Sequence, residues 1–197
     1  LDNSIMAITL NGNGTVTGIS AGGLPAGSMA MPAGSVIQTV YSPMGDETRT
    51  SNGNNWVDYL AATITPTSSS NKILVIHLVT YGGDSNSYAA GRCYRSGSGT
   101  TDEYLNTGTN SSFTESRFTD ASFPLYMNHN ANDNYKMWQS QWIHLDTPSS
   151  TAAVTYTFAI KEDAGGHTAY INRSPGDSGN GYSARPTTTT TLMEIKV

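Results

Sequence analysis

From Val154 to Ile160 the chain alternates. Val154, Tyr156, Phe158 and Ile160 are separated by Thr155, Thr157 and Ala159. A period of two sends the two sets to opposite faces of an extended strand, one buried and one semi-polar. The run Ile73-Leu74-Val75-Ile76-His77-Leu78-Val79 does not alternate. In an antiparallel protein such a run predicts cover on both faces. The core supplies one cover. A neighbouring subunit or a long loop is expected to supply the other, and Leu74, Ile76 and Leu78 are the candidate subunit contacts.

Further strands are predicted near Val36–Tyr41, Leu60–Thr65, Lys72–Tyr81, Ala89–Arg95, Phe123–Met127, Lys136–Leu145, Ala153–Lys161, Thr168–Asn172 and Thr189–Val197. Turn chemistry separates them, as in Pro66–Asn71, Thr147–Ser150 and Asp163–Gly166. No stretch sustains a helical period. Many short strands with such punctuation predict an all-β antiparallel sandwich, jelly-roll-like. Ahead of it, Met6–Leu10 and Thr15–Ile19 flank Asn11-Gly12-Asn13-Gly14, a hairpin signature. The Gly/Pro-rich stretch 20–34 then reads as a linker. The expected organisation is an attachment segment over residues 1–33 and a head over residues 34–197.

Composition sharpens this picture. Ser, Thr, Asn and Gly supply 85 of 197 residues, and only 13% are charged. Net charge is −5, and the four lysines and six arginines are scattered. Nucleic-acid binding needs clustered cations, so that class is excluded, as are anionic membrane surfaces. No run of 18 apolar residues occurs, so membrane insertion is not expected. No basic region followed by an apolar one opens the chain, so no secretory signal is read. Two starts stay open: Met6 as the natural one, or a chain cut from a longer protein. One cysteine, Cys93, excludes an internal disulfide framework and reads as a small buried hydrophobe.

Candidate chemistry is thin. Gly176-Asp177-Ser178-Gly179 has the form of a serine-protease nucleophile string, and His77, Asp102 and Ser178 follow that family's chain order. His77 lies inside an apolar strand, however, so a polar turn is the better reading of the string. The histidines at 77, 129, 144 and 167 have no metal-ligand spacing, and the alternating asparagines at 128–134 lack the carboxylates calcium requires. Asp102-Glu103 and Glu162-Asp163 are neighbours in sequence and point apart on a strand, so neither is a glycosidase pair. No cofactor, no metal and no catalytic residue is expected. Trp138 and Trp142 share one strand face, where core packing is favoured.

Binding is the stronger expectation. Long polar loops carrying aromatics resemble sugar- or protein-binding surfaces more than catalytic clefts. The receptor-binding candidates are Asn55, Trp56, Tyr104, Asn110, Phe113, Asn132 and Tyr135.

Several strings are also familiar together. They are Ala33–Gln38, Ile64–Pro66 with Ser70–Val75, Leu145–Pro148 with Val154–Tyr156, Tyr170–Ser174, and Thr190–Ile195. Their order resembles a β-domain of tail-fibre and related virion proteins of tailed bacteriophages, over roughly residues 33–197. The opening 7–12 and 19–25 strings resemble N-terminal ends of phage structural proteins. The resemblance implies a non-enzymatic, homotrimeric virion fibre on the virion surface. Its head loops are expected to contact a host-surface receptor, a glycan before a protein, and residues 1–33 to engage other virion proteins. A capsid decoration, head-fibre or fibre-anchoring protein is the alternative. A carbohydrate-binding module or a hydrolase ranks last.

Overall fold

The computed structural model describes residues 9–10, 16–17, 31–45, 49–52, 55–84, 88–105, 121–126, 134–162, 167–177, 179 and 184–197. The chain divides into two compact units, Leu1–Pro32 and Ala33–Val197. In the first, β1 (Thr9–Leu10) pairs antiparallel with β2 (Val16–Thr17), the hairpin that the Asn-Gly string predicts.

The second unit is all-β. Its strands are β3 (Val36–Pro43), β4 (Arg49–Asn52), β5 (Val57–Ile64), β6 (Lys72–Gly83), β7 (Tyr88–Gly97), β8 (Glu103–Tyr104), β9 (Phe123–Tyr126), β10 (Trp138–Asp146), β11 (Val154–Glu162), β12 (Thr168–Ile171) and β13 (Thr189–Ile195). One sheet runs β3-β13-β6-β10, with β12 and β4 extending it beside the far end of β6. The other runs β5-β11-β7, and β8 and β9 share the outer edge of β7. The two principal orders, 3-13-6-10 and 5-11-7-9, are those of a jelly roll. The expected β-sandwich is therefore present, and all pairings are antiparallel.

Periodicity places the core between the sheets. Ile73, Val75, His77 and Val79 of β6 face Val154, Tyr156, Phe158 and Ile160 of β11, and all eight are fully buried. Trp142, Phe123, Leu125, Tyr59 and Leu192 fill the remaining space, and Trp138 packs against them. Core packing is thus the role of the Trp138/Trp142 pair. Phe123 crosses β7 at Gly91 so closely that a Cβ there would lie 2.0 Å from its ring. Glycine is needed for that approach.

The other face of β6 behaves differently from the core face. Leu74, Ile76 and Leu78 are only partly buried. Register sets Leu145 and Ile143 of β10 beside Leu74 and Ile76, and Met193 of β13 on the other side of Leu74. Ile143 and Leu145 are about half exposed, as is Tyr41 one strand further on. An apolar patch therefore spans the outer face of this sheet.

Two strands lie where the sequence predicts loop. β4 falls in the polar stretch before Trp56, and β8 falls between the strands predicted near Ala89–Arg95 and Phe123–Met127. Arg49-Thr50-Ser51-Asn52 carries no apolar alternation. Edge pairing to β12 makes it a strand, and the buried Ser51 accepts a hydrogen bond from the Glu162 amide.

Candidate functional site

The outer face of the second sheet carries a cluster of aromatic and cationic side chains. The strand that buries Val154, Tyr156 and Phe158 must turn Thr155 and Thr157 outward. Register places Tyr94 beside Thr157 and Arg92 beside Ala159 on β7, because Cys93 between them points into the core. On the other flank, Thr63 of β5 lies opposite Thr155, with their hydroxyls 2.8 Å apart. β8 then sets Tyr104 against Tyr94, ring centres 5.1 Å apart. Trp56 enters from the residue before β5.

Arg92 joins these groups. Its guanidinium carbon lies 4.5 Å from the Trp56 ring centre and 4.6 Å from that of Tyr104. Both distances are well inside cation–π range. The Lys161 ammonium stands 5.8 Å from the Trp56 ring. Arg92 pairs with no carboxylate among the described residues, and its buried Nε–H has no acceptor there. Desolvation, and then the Asp102 carboxylate that its hydroxyl contacts, raise the pKa of Tyr94 and keep it neutral. Asp102 also accepts from the Gly97 amide at 3.3 Å, which fixes the corner leading to β8.

Of the binding candidates, the structure brings together Trp56 and Tyr104, with Asn55 exposed next to Trp56. Tyr135 is elsewhere. It is exposed on the loop before β10, against Gly176 of the segment after β12. Asn110, Phe113 and Asn132 lie outside the described residues. Arg92 and Tyr94 were missed by sequence reasoning. Their signal is period two about Cys93: if the cysteine is buried, its neighbours face out.

His77 is a core residue, stacked on Phe158 at 3.8 Å, with Nε2 2.7 Å from the Tyr59 hydroxyl and Nδ1 2.9 Å from that of Thr190. Burial lowers its pKa from 6.5 to about 3, only partly opposed by a backbone contact at Thr189. Asp102 is exposed on the β7–β8 corner, and Ser178 lies outside the described residues. Burial drives the Cys93 thiol pKa up, which leaves it inert as a nucleophile. Among the described residues no group of His, Cys, Asp and Glu could hold a metal ion. Among the described residues no helix is long and apolar enough to cross a membrane.

Buried polar residues at 71, 146, 172 and 194 hold the scaffold. Asp146 accepts from the Tyr156 hydroxyl at 2.8 Å and pairs with buried Arg95, which also reaches Glu103. Glu194 is fully buried and accepts from Asn71, Gln38, and the amide and hydroxyl of Thr67, all within 2.8 Å. Burial alone would raise the Glu194 pKa, but these donors outweigh it and lower it. Asn172 accepts from Thr188 at 2.7 Å. At the end of the sandwich that holds the β5–β6 and β10–β11 turns, a cleft of about 340 Å³ is lined by Ser69, Ser98, Gly99 and residues 149–152. It contains hydroxyls but neither aromatic nor charge.

No family model and no curated protein matches the chain. Solved structures do. A capsid structure of infectious bursal disease virus, Gt strain, aligns over 97% of this chain and 46% of its own, at 11% identity and TM-score 0.46. The VP2 subviral particle of that virus aligns over 86% and 41%, at 13% identity and TM-score 0.38. The module TmCBM61, solved with β-1,4-galactotriose, aligns over 83% and 92%, at 7% identity and TM-score 0.31. The chain spans less than half the length of the viral chains it matches. The fold assignment rests on the chain's own strand order.

Proposed function

We propose that this chain is a non-enzymatic, homotrimeric fibre or knob module on the surface of a tailed-bacteriophage virion. It holds a host-surface glycan on the outer face of the β5-β11-β7 sheet. One observation carries the reading: Arg92 lies against the Trp56 and Tyr104 rings, Tyr104 packs on Tyr94, and Thr155 and Thr157 face the same side of the sheet further along β11. Aromatic faces cover the apolar C–H faces of sugars, while hydroxyls and a guanidinium meet their oxygens. Jelly rolls serve as both capsid and lectin domains, so the site, not the fold, must decide.

The apolar outer face of the other sheet fits the homotrimer, with Leu74, Ile76 and Leu78 meeting neighbouring copies. Repetition of a weak site three times raises avidity. That same face favours a second reading, a capsid decoration protein bound to another virion protein. Residues 1–33 remain the proposed attachment segment in either case.

The test is binding of the labelled chain to host cells and to a glycan array. Trp56→Ala and Tyr104→Ala should each weaken binding about tenfold, the loss of one ring contact of about 1–2 kcal/mol. Far-ultraviolet dichroism should stay unchanged. Undiminished binding by both folded variants overturns the assignment of this face.

A further inference from the structure

We infer that the saccharide bound on this face is acidic, and that Arg92 reads its carboxylate or sulfate. The inference rests on the glycan-binding reading above and names the ligand class.

The arginines make the case. Side chains are described for Arg92, Arg95, Arg173 and Arg185. Arg95 pairs with Asp146 and Glu103, while Arg173 and Arg185 both reach Asp177. Among the described residues Arg92 is the one arginine that pairs with no carboxylate, and its recorded neighbours are the Trp56 and Tyr104 rings. Ring faces attract the guanidinium charge but accept none of its in-plane hydrogen bonds. A planar fork of N–H donors without an acceptor matches an oxyanion. The buried Nε–H without a partner shows the same incompleteness from inside the cluster.

The surrounding charges agree. The Lys161 ammonium also stands beside the Trp56 ring. On the β7–β8 corner, Asp102 is engaged by Gly97 and Tyr94. Asp58 is aligned with Arg92 through Ala159 but two strands away, about 10 Å. An acidic sugar unit stacked on Trp56 or Tyr104 places its anion beside Arg92. Cys93 of β7 and His77 of β6 are buried between the two sheets and contribute nothing.

The experiment uses the full chain and matched pairs of immobilised saccharides that differ in charge alone. The pairs are polygalacturonate with its methyl ester, native with desulfated heparan sulfate, and sialyllactose with its methyl ester. The expected result is at least tenfold tighter binding to the acidic member of one pair. That preference should shrink as salt rises from about 50 to about 300 mM. It should fall below about twofold in Arg92→Gln, with Arg92→Lys between the two. Which pair responds separates carboxylate from sulfate. Equal binding to both members of every pair overturns the inference and leaves the glycan reading standing. So does an acid preference that persists in Arg92→Gln. Absence of binding across the whole panel overturns the glycan reading and the inference together.

Discussion

Acidification should destabilise this protein through one residue before its carboxylates matter. His77 is fully buried, and both ring nitrogens are committed to hydroxyls of Tyr59 and Thr190. A neutral imidazole satisfies this arrangement with one donor and one acceptor. A charged ring has two donors and no water to solvate it. The native pKa is accordingly lowered to about 3, against 6.5 in an unfolded chain. Between those values the unfolded chain takes up a proton that the native state refuses. Stability is therefore full above pH 6.5 and falls as pH drops toward 3. From pH 6.5 to pH 4 the loss is about 2.5 pH units at 1.36 kcal/mol each, or about 3.4 kcal/mol. The assay is urea unfolding from pH 7 to pH 4 at fixed protomer concentration, for the wild type and for His77→Gln. Glutamine keeps one donor and one acceptor but does not titrate. The wild type should lose about 3 kcal/mol more than the variant across that range. Parallel pH profiles for the two proteins would refute the reasoning.

Three other outcomes follow from the same structure. Light scattering should give a native mass near three times 20.9 kDa, and Ile76→Glu or Ile143→Glu should reduce it to the monomer; a monomeric wild type contradicts the proposed packing of the apolar face. Asp146→Ala strands the Arg95 charge in the interior and should cost about 3–5 kcal/mol in urea unfolding, partly recovered in the double variant with Arg95→Met; a loss under about 1 kcal/mol contradicts the pairing. Glu194→Gln turns an acceptor into a donor facing donors and should cost about 1–3 kcal/mol at neutral pH. Because the Glu194 pKa is lowered, its contribution is present above the ordinary carboxylate range and lost below it, so the variant should show a flatter acid limb.

The sandwich was legible wherever a period of two met a buried face. β11 announces itself through Val154, Tyr156, Phe158 and Ile160, and β6 through an uninterrupted apolar run. β4 and β8 were not legible, since Arg49–Asn52 and Glu103–Tyr104 hold their pairing by backbone hydrogen bonds to β12 and β7. Side-chain periodicity carries no trace of that. The site was half legible. Trp56 and Tyr104 stand out as aromatics in polar surroundings, but 48 residues separate them, and only the register of β7 with β8 and β11 brings them to one arginine. Arg92 was hidden because Cys93 drew the attention of that segment inward. Tyr135 has the same local character as Tyr104, yet its loop leads to the other sheet.

The most direct test is to map where a saccharide sits. Backbone amide shifts of the labelled chain, followed during titration with the tightest-binding glycan of the panel, should move at Trp56, Arg92, Tyr94, Tyr104, Thr155 and Thr157. Shifts gathered instead around Ser98 and Ser150, or spread over the apolar face at Leu74 and Ile143, would contradict the account.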